Sequence, residues 1–323
     1  MLKADCSTQT FCYNIRQQLT PKFMSIGLLI FIVYAIAIAE MHYRGKRRFP
    51  WSRQIITHTN YLSPYNFFIN RLSLFPNTPL HDSKKIDDLK LLKENWQIIR
   101  DEAIALAEEG DIKASDKLND AGFNSFFRHG WTRFYLKWYD DYLPSAANKC
   151  PKTVELLKNT PNIKAAMFAS LPPGGKLNPH RDPYPGALRY HLGLLTPNDD
   201  RCYIKVDEQI HSWRDGEDVL FDETFIHEAH NKTDEPRIIF FADVHRPLKF
   251  AWANKMSHWV SDKLLKASAT QNEEGEQVGL INKTFEKVYG IRRISRRMKK
   301  WNEPVYKGLK YGLIGLIIYT ILF

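Results

Sequence analysis

Residues 163–195 read IKAAMFASLPPGGKLNPHRDPYPGALRYHLGLL. Residues 163–171 and 188–195 are apolar runs of strand length, and Pro172-Pro173-Gly174-Gly175 and Pro183-Tyr184-Pro185-Gly186 supply turn chemistry between them. The same rhythm continues outward. Strand signals fall at 202–206, 209–213, 218–221 and 237–244, separated by Pro197-Asn198-Asp199-Asp200 and by Asp215-Gly216. Upstream, residues 130–139 alternate apolar and polar. Short strands this closely spaced predict a mainly β chain with added helices and a double-stranded β-helix (jelly roll) core. No GxGxxG, P-loop or long repeat is present, which argues against nucleotide-binding α/β folds. Residues 89–109 carry a helical stripe (Leu92, Trp96, Ile99, Ala103, Leu106) that stops at Gly110, and 146–157 reads as a short helix. Residues 49–76, rich in Asn, Pro and aromatics, read as irregular chain or short helices with no legible role.

His180-Arg181-Asp182 lies inside the opening stretch, and His227, expected on a later strand, follows His180 by 47 residues. Two imidazoles and a carboxylate can take one face of an octahedral metal ion and leave the other open, the arrangement of non-haem Fe(II) oxygenases. Those open positions suit a bidentate 2-oxo acid and O2. Ten residues beyond His227, Arg237 begins what reads as a buried strand. A buried arginine needs an anion, and a dicarboxylate cosubstrate beside the metal would supply one. His230 falls on the opposite strand face from His227; Asp222 and Glu223 are candidates to orient His227. A zinc hydrolase with Glu228 as general base and a non-catalytic membrane-bound jelly roll stay open as other readings.

The chain has 323 residues, 44% of them hydrophobic, enough for one large core with appendages. Its formal charge of +10 implies an anionic partner, nucleic acid or membrane. The location of the charge decides for the membrane. Residues 23–39 contain no charge and reach the roughly 17-residue lower limit of a tilted span. Arg44, Lys46, Arg47 and Arg48 follow, which points to a retained anchor with its basic side in the cytoplasm. At the other end Arg292, Arg293, Arg296, Arg297, Lys299 and Lys300 precede an uncharged apolar run, 311–323, long enough for a short span or an interfacial helix. No nucleic-acid fold lies between these ends. Cys6, Cys12, Cys150 and Cys202 form no CxxC pair, which suits a reducing compartment.

Leu171-Pro-Pro-Gly-Gly-Lys-Leu, His180-Arg-Asp-Pro-Tyr, Leu188-Arg-Tyr-His-Leu-Gly-Leu, Trp213-Arg-Asp-Gly-Glu-Asp, Phe221-Asp-Glu-Thr and Arg237-Ile-Ile-Phe-Phe together resemble the aspartyl/asparaginyl β-hydroxylase family, most of all its bacterial lipid A 2-hydroxylase branch. The likeness extends over most of residues 40–250. It implies that His180, Asp182 and His227 hold Fe(II), that Arg237 binds 2-oxoglutarate, and that Arg189, His191, Trp131 and Ser170 line the cosubstrate pocket. At the last of these the chain departs from the family: the expected serine position is Ala169, and Ser170 would face the other way. Asp182 favours the lipid branch, because the protein-modifying relatives lack this carboxylate. The implied reaction is hydroxylation at C2 of a secondary acyl chain of lipid A at the cytoplasmic face of the bacterial inner membrane, with Asp or Asn of a protein as the alternative substrate. The expected organisation is an N-terminal arm (1–22), a transmembrane helix (23–41), a membrane-proximal helical region (42–128), the jelly roll (129–250), a basic helical region (251–308) and a C-terminal membrane segment (309–323).

Overall fold

Eleven strands among the described residues pair antiparallel in two sheets. They are β1 (Leu80–His81), β2 (Thr132–Trp138), β3 (Asp141–Tyr142), β4 (Ile163–Leu171), β5 (Lys176–His180), β6 (Ala187–Leu195), β7 (Cys202–Val206), β8 (Gln209–Ser212), β9 (Asp218–Phe221), β10 (His227–Asn231) and β11 (Arg237–His245). The larger sheet has the order β1-β9-β6-β11-β4-β2-β3 and the smaller β5-β10-β7-β8. This is the expected jelly roll. The computed structural model describes residues 26–115 and 119–322, so the N-terminal arm with Cys6 and Cys12, and residues 23–25 of the expected membrane helix, lie outside the described residues.

The central strands β6, β11 and β4 are apolar and buried nearly end to end, as expected of strands covered on both faces. The cover on one side comes from α4 (Asp87–Glu94) and α5 (Trp96–Glu108), whose Leu89, Leu92, Ile99, Ala103 and Leu106 join the main core. One helix was expected here, and two form. Asn95 turns its side chain back to the Leu91 carbonyl (2.8 Å) and leaves helical geometry, while the apolar stripe continues across the break. The expected helix 146–157 likewise splits into α7 (Pro144–Lys149) and α8 (Pro151–Lys158), because Pro151 lacks an N–H and holds Cys150 out of the helical region. Gly216 (φ +73°) must be glycine, since a Cβ there would meet the Trp96 ring at 2.9 Å. Cys150 and Cys202 are free buried thiols.

Residues 49–76 form short helices: α2 (Trp51–Gln54), a 3-10 turn (His58–Leu62) and α3 (Ser63–Leu72). After the jelly roll comes α9 (Ala251–Val260). The chain divides into two units, Glu40–Tyr289 and the paired pieces Met1–Ala39 with Gly290–Phe323. The helix α1 (Ile26–Tyr43, mean hydropathy 1.9) is long and apolar enough to cross a membrane. The basic cluster lies on α10 (Leu280–Trp301), and α11 (Glu303–Leu322) begins earlier than the expected segment.

His245, at the end of β11, stacks on His258 of α9 with centroids 4.0 Å apart, and burial together with that neighbour pushes His245 down to about 4. A base whose folded-state pKa lies below its unfolded value of about 6.5 contributes stability that is fully present above 6.5 and is lost as the pH falls toward 4. The thermal midpoint is therefore expected to drop between pH 6.5 and 4.5, and His245→Gln to flatten that slope; an unchanged slope would remove His245 as its source.

Candidate active site

Strand register brings the predicted ligands together. β5 and β10 pair with His227 directly opposite His180, and their ring centroids lie 4.2 Å apart. Two residues past His180, the Asp182 N–H donates to the Glu223 carbonyl (3.0 Å), which fastens the loop after β5 to the turn before β10. Ligand atoms of His180, Asp182 and His227 all lie within 4.8 Å of one another. Each imidazole is fixed by a local bond. His180 Nδ1 donates to the Asn178 carbonyl (2.7 Å) and His227 Nδ1 to the Phe225 carbonyl (3.0 Å), so Nε2 of each is the free lone pair. The expectation that Asp222 or Glu223 orients His227 is thereby corrected: the nearer backbone carbonyl does so.

The electrostatics suit a divalent cation. Burial pushes His227 down to about 3, with the facing His180 adding to it, and burial also lowers His180. Both rings are therefore neutral, the form that binds metal. Against its desolvation, the Arg189 guanidinium holds Asp182 at about 2. Arg189 of β6 lies opposite Asp243 of β11 in register; its Nε donates to Asp243 (2.8 Å) and its Nη2 to Asp182 (3.2 Å) and Glu223. Tyr139 donates to the other Asp243 oxygen (3.0 Å). Burial, then the Asp243 and Asp182 carboxylates, outweigh Arg189 and push Glu223 well above the usual carboxylate range, so Glu223 is the acid of this group that keeps its proton. Two neutral nitrogens and one ionised oxygen fit one face of an octahedral Fe(II).

A small cavity opens on this triad, and Arg237, His191, Arg189, Trp131 and Trp213 line it. Arg237 is 2% exposed, lies 4.2 Å over the Trp213 ring, and has no ion pair among the described residues. Its Nε is without a hydrogen-bond partner, as are Trp213 Nε1 and both ring nitrogens of His191. Burial pushes Arg237 down to about 10 and His191 well below its ordinary value. Buried polar groups without partners are costly, about 1–3 kcal/mol each, and three converging on one cavity fit a carboxylate ligand. Trp213 was not singled out beforehand, although its motif was quoted. Phe126, edge-on to His180 at 4.9 Å, carried no signal at all.

The remaining predicted residues separate. Trp131 reaches the cavity. Ser170 does not: it pairs with Ile238, and therefore stands on the face opposite Arg237, Ile239 and Phe241, as its offset from Ala169 foretold. Arg189 lines the cavity, but its guanidinium is spent on carboxylates, so it positions Asp182. His230 stacks on Tyr203, outside the triad. Asn231, which fits a glycosylation sequon, is buried and binds the Leu171, Pro172 and Glu235 carbonyls, holding the loop beside Arg237.

The segment after α1 also belongs to the site. Arg44, expected as one of the basic residues on the cytoplasmic side of the apolar helix, has a buried side chain; it binds Asp222, Thr224 and Asn77 and covers the Phe225 ring at 4.2 Å. Arg181 donates to the Met41 carbonyl (2.7 Å), and Asp207 accepts the Lys46 and Arg47 N–H groups. Asp222 is shared with Arg246 at 2.7 Å. Arg44→Met is therefore expected to cost less than the roughly 3–5 kcal/mol of a broken buried pair, and Asp222→Ala, which strands two guanidinium groups, to cost more than Arg44→Met. Urea denaturation in detergent checks the order; equal losses would show that Arg246 does not share the charge.

A sequence profile described as Aspartyl/Asparaginyl beta-hydroxylase matches residues 93–247. The ornithine lipid ester-linked acyl 2-hydroxylase of Rhizobium tropici is 38% identical over 120 residues, which are 37% of this chain and 43% of that protein. Human aspartyl/asparaginyl beta-hydroxylase is 27% identical over 214 residues, 64% of this chain and 26% of its own. The matched segments thus span less than half the length of either relative. Among solved structures, a Pseudomonas putida prolyl-4-hydroxylase superposes with a TM-score of 0.34 at 15% identity, covering 49% of this chain and 88% of that one. Residues 93–247, which hold the triad and Arg237, match the aspartyl/asparaginyl β-hydroxylase family model.

Proposed function

We propose that the chain is an Fe(II)- and 2-oxoglutarate-dependent dioxygenase that hydroxylates C2 of an ester-linked acyl chain on a membrane lipid, with a secondary acyl chain of lipid A at the cytoplasmic face of the bacterial inner membrane as substrate. The observation that carries it is one cavity holding His180, Asp182 and His227 together with an unpaired buried Arg237. When bound, iron with O2 and 2-oxoglutarate supplies the oxidant, the cosubstrate leaving as succinate and CO2 while one oxygen atom enters a C–H bond. His180, Asp182 and His227 would hold the metal. Arg237, with the Trp213 and His191 donors beside it, would grip the far carboxylate and set the orientation of the cosubstrate. Arg189 keeps Asp182 ionised and aimed. Phe126, Leu177 and Ile204 give the cavity an apolar wall that excludes water and suits an acyl chain.

The acyl-lipid substrate is supported by the acyl hydroxylase relative and by α1. That relative also favours a second lipid, an ornithine lipid, over which the same chemistry applies. The cytoplasmic placement follows from the basic residues after α1, which act on orientation during insertion, before Arg44 and Arg47 find their partners. The test is incubation of the full chain with vesicles containing lipid A or ornithine lipid, and with Asp- and Asn-containing peptides, in Fe(II) and 2-oxoglutarate. A lipid species heavier by one oxygen, with succinate release in step, is expected. Oxygen appearing only in the peptides would replace the lipid reading with the protein one.

A further inference from the structure

Residues 41–76 contain six basic residues and no acidic one. Arg44 and Arg47 are taken by Asp222 and Glu228, whereas Lys46, Arg48, Arg53 and Arg71 are exposed. Large apolar side chains stand in the open among these cations. Trp51 is 42% exposed, Ile55 63% and Ile56 44%; beside α3, Phe68, Phe250 and Trp252 are 38%, 49% and 54% exposed. The second group is a contiguous cluster, with Trp252 5.8 Å from Phe68 and 6.2 Å from Phe250 between ring centroids, and exposed Lys249 and Lys255 flank it. Apolar surface of this extent in water marks a site of contact.

We propose that α2 and the Phe68, Phe250 and Trp252 cluster together form a docking surface for an anionic lipid bilayer. Both groups are fixed to the last residues of the apolar helix α1. Trp51 stacks on His42 at 3.9 Å and meets Tyr43 at 6.0 Å, while Arg71 of α3 pairs with Glu40 at 3.9 Å. The inference rests on α1 being a membrane helix: its final turn then lies at headgroup level, and whatever touches that turn lies there too. Aromatic side chains rimmed by lysine and arginine are the composition of that level. A second copy of this chain is a poor occupant, because it would bring an equally basic face against this one. The surface also borders the site: Arg53 of α2 donates to the carbonyl of Pro179 (2.9 Å), the neighbour of His180. Docking here brings the strand that carries His180 close to lipid.

The test uses the full chain with Cys6→Ser and Cys12→Ser, leaving the buried Cys150 and Cys202, in vesicles of phosphatidylcholine and phosphatidylglycerol. Spin labels go singly on Ile55→Cys and Trp252→Cys, with Leu29→Cys inside α1 and Ile210→Cys on β8 as references. Collisions with membrane-dissolved O2 are expected to exceed those with an aqueous nickel chelate at positions 55, 252 and 29, and the reverse at 210. An aqueous signature at 55 or 252 with 29 in lipid overturns the docking surface alone. An aqueous signature at 29 as well overturns it together with the reading of α1. Labels shielded from both reagents would assign the face to a protein interface and overturn the lipid.

Discussion

Asp182→Ala, like His180→Ala and His227→Ala, is expected to lower Fe(II)-dependent turnover by more than about 100-fold, beyond the 10–100-fold that loss of an orienting partner costs. The carboxylate is the only anionic donor of the triad, and Arg189 keeps it ionised at about 2 in spite of burial. Removing it leaves two neutral imidazoles against a doubly charged ion, and it also leaves the Nη2 of Arg189 with only the Glu223 carboxyl, which tends to hold its proton. Arg189→Met separates the roles. Its defect should fall within the 10–100-fold range and be relieved in part by excess Fe(II), because the ligands remain and only their aim is lost. An iron titration of the two variants decides. If Asp182→Ala were rescued by iron as readily as Arg189→Met, Asp182 would be a positioning residue and the metal would be held by histidines alone.

Arg237→Gln is expected to raise the 2-oxoglutarate concentration for half-maximal turnover by about 10–100-fold, the equivalent of a charge-assisted bond worth roughly 1.5–3 kcal/mol, while turnover at saturation changes less. The same substitution should leave the ligand-free protein as stable as before or more so. Arg237 is buried over Trp213 without an anion, so folding bears the cost of its desolvation until a ligand arrives. Opposite effects on cosubstrate affinity and on apo stability are a signature that a merely structural arginine would not give. The concentration series and a thermal melt without 2-oxoglutarate measure both; destabilisation with unchanged half-saturation would remove Arg237 from the binding role.

Where the sequence was read correctly, the chemistry was local. The apolar runs of β4, β6 and β11, the turns between them and the pair His180 and Asp182 are each fixed by residues a few positions apart. The ligand-bearing strands themselves were harder to see. Lys176–His180 (KLNPH) and His227–Asn231 (HEAHN) are short and polar, and they exist because each finds the other across the smaller sheet. Arg189 was placed at the cosubstrate by the resemblance, and nothing beside it in sequence discloses that Asp243 and Glu223 arrive from 54 and 34 residues away. Arg44 was read only as one of the basic residues on the cytoplasmic side of the apolar helix, its partner Asp222 being 178 residues distant. Trp213 was quoted only within a motif. The cavity it shares with Arg237 shows its role, since the indole N–H there has no hydrogen-bond partner.

The grip of Arg44 bears on the order of events during synthesis. Arg44 follows the last residue of α1 and is made long before Asp222 and Phe225, so the turn that aims His227 is completed on an arginine already in place. The segment after α1 thus acts as a folding template. Removing that segment together with α1 keeps every ligand residue, yet withdraws the support on which one of them was set.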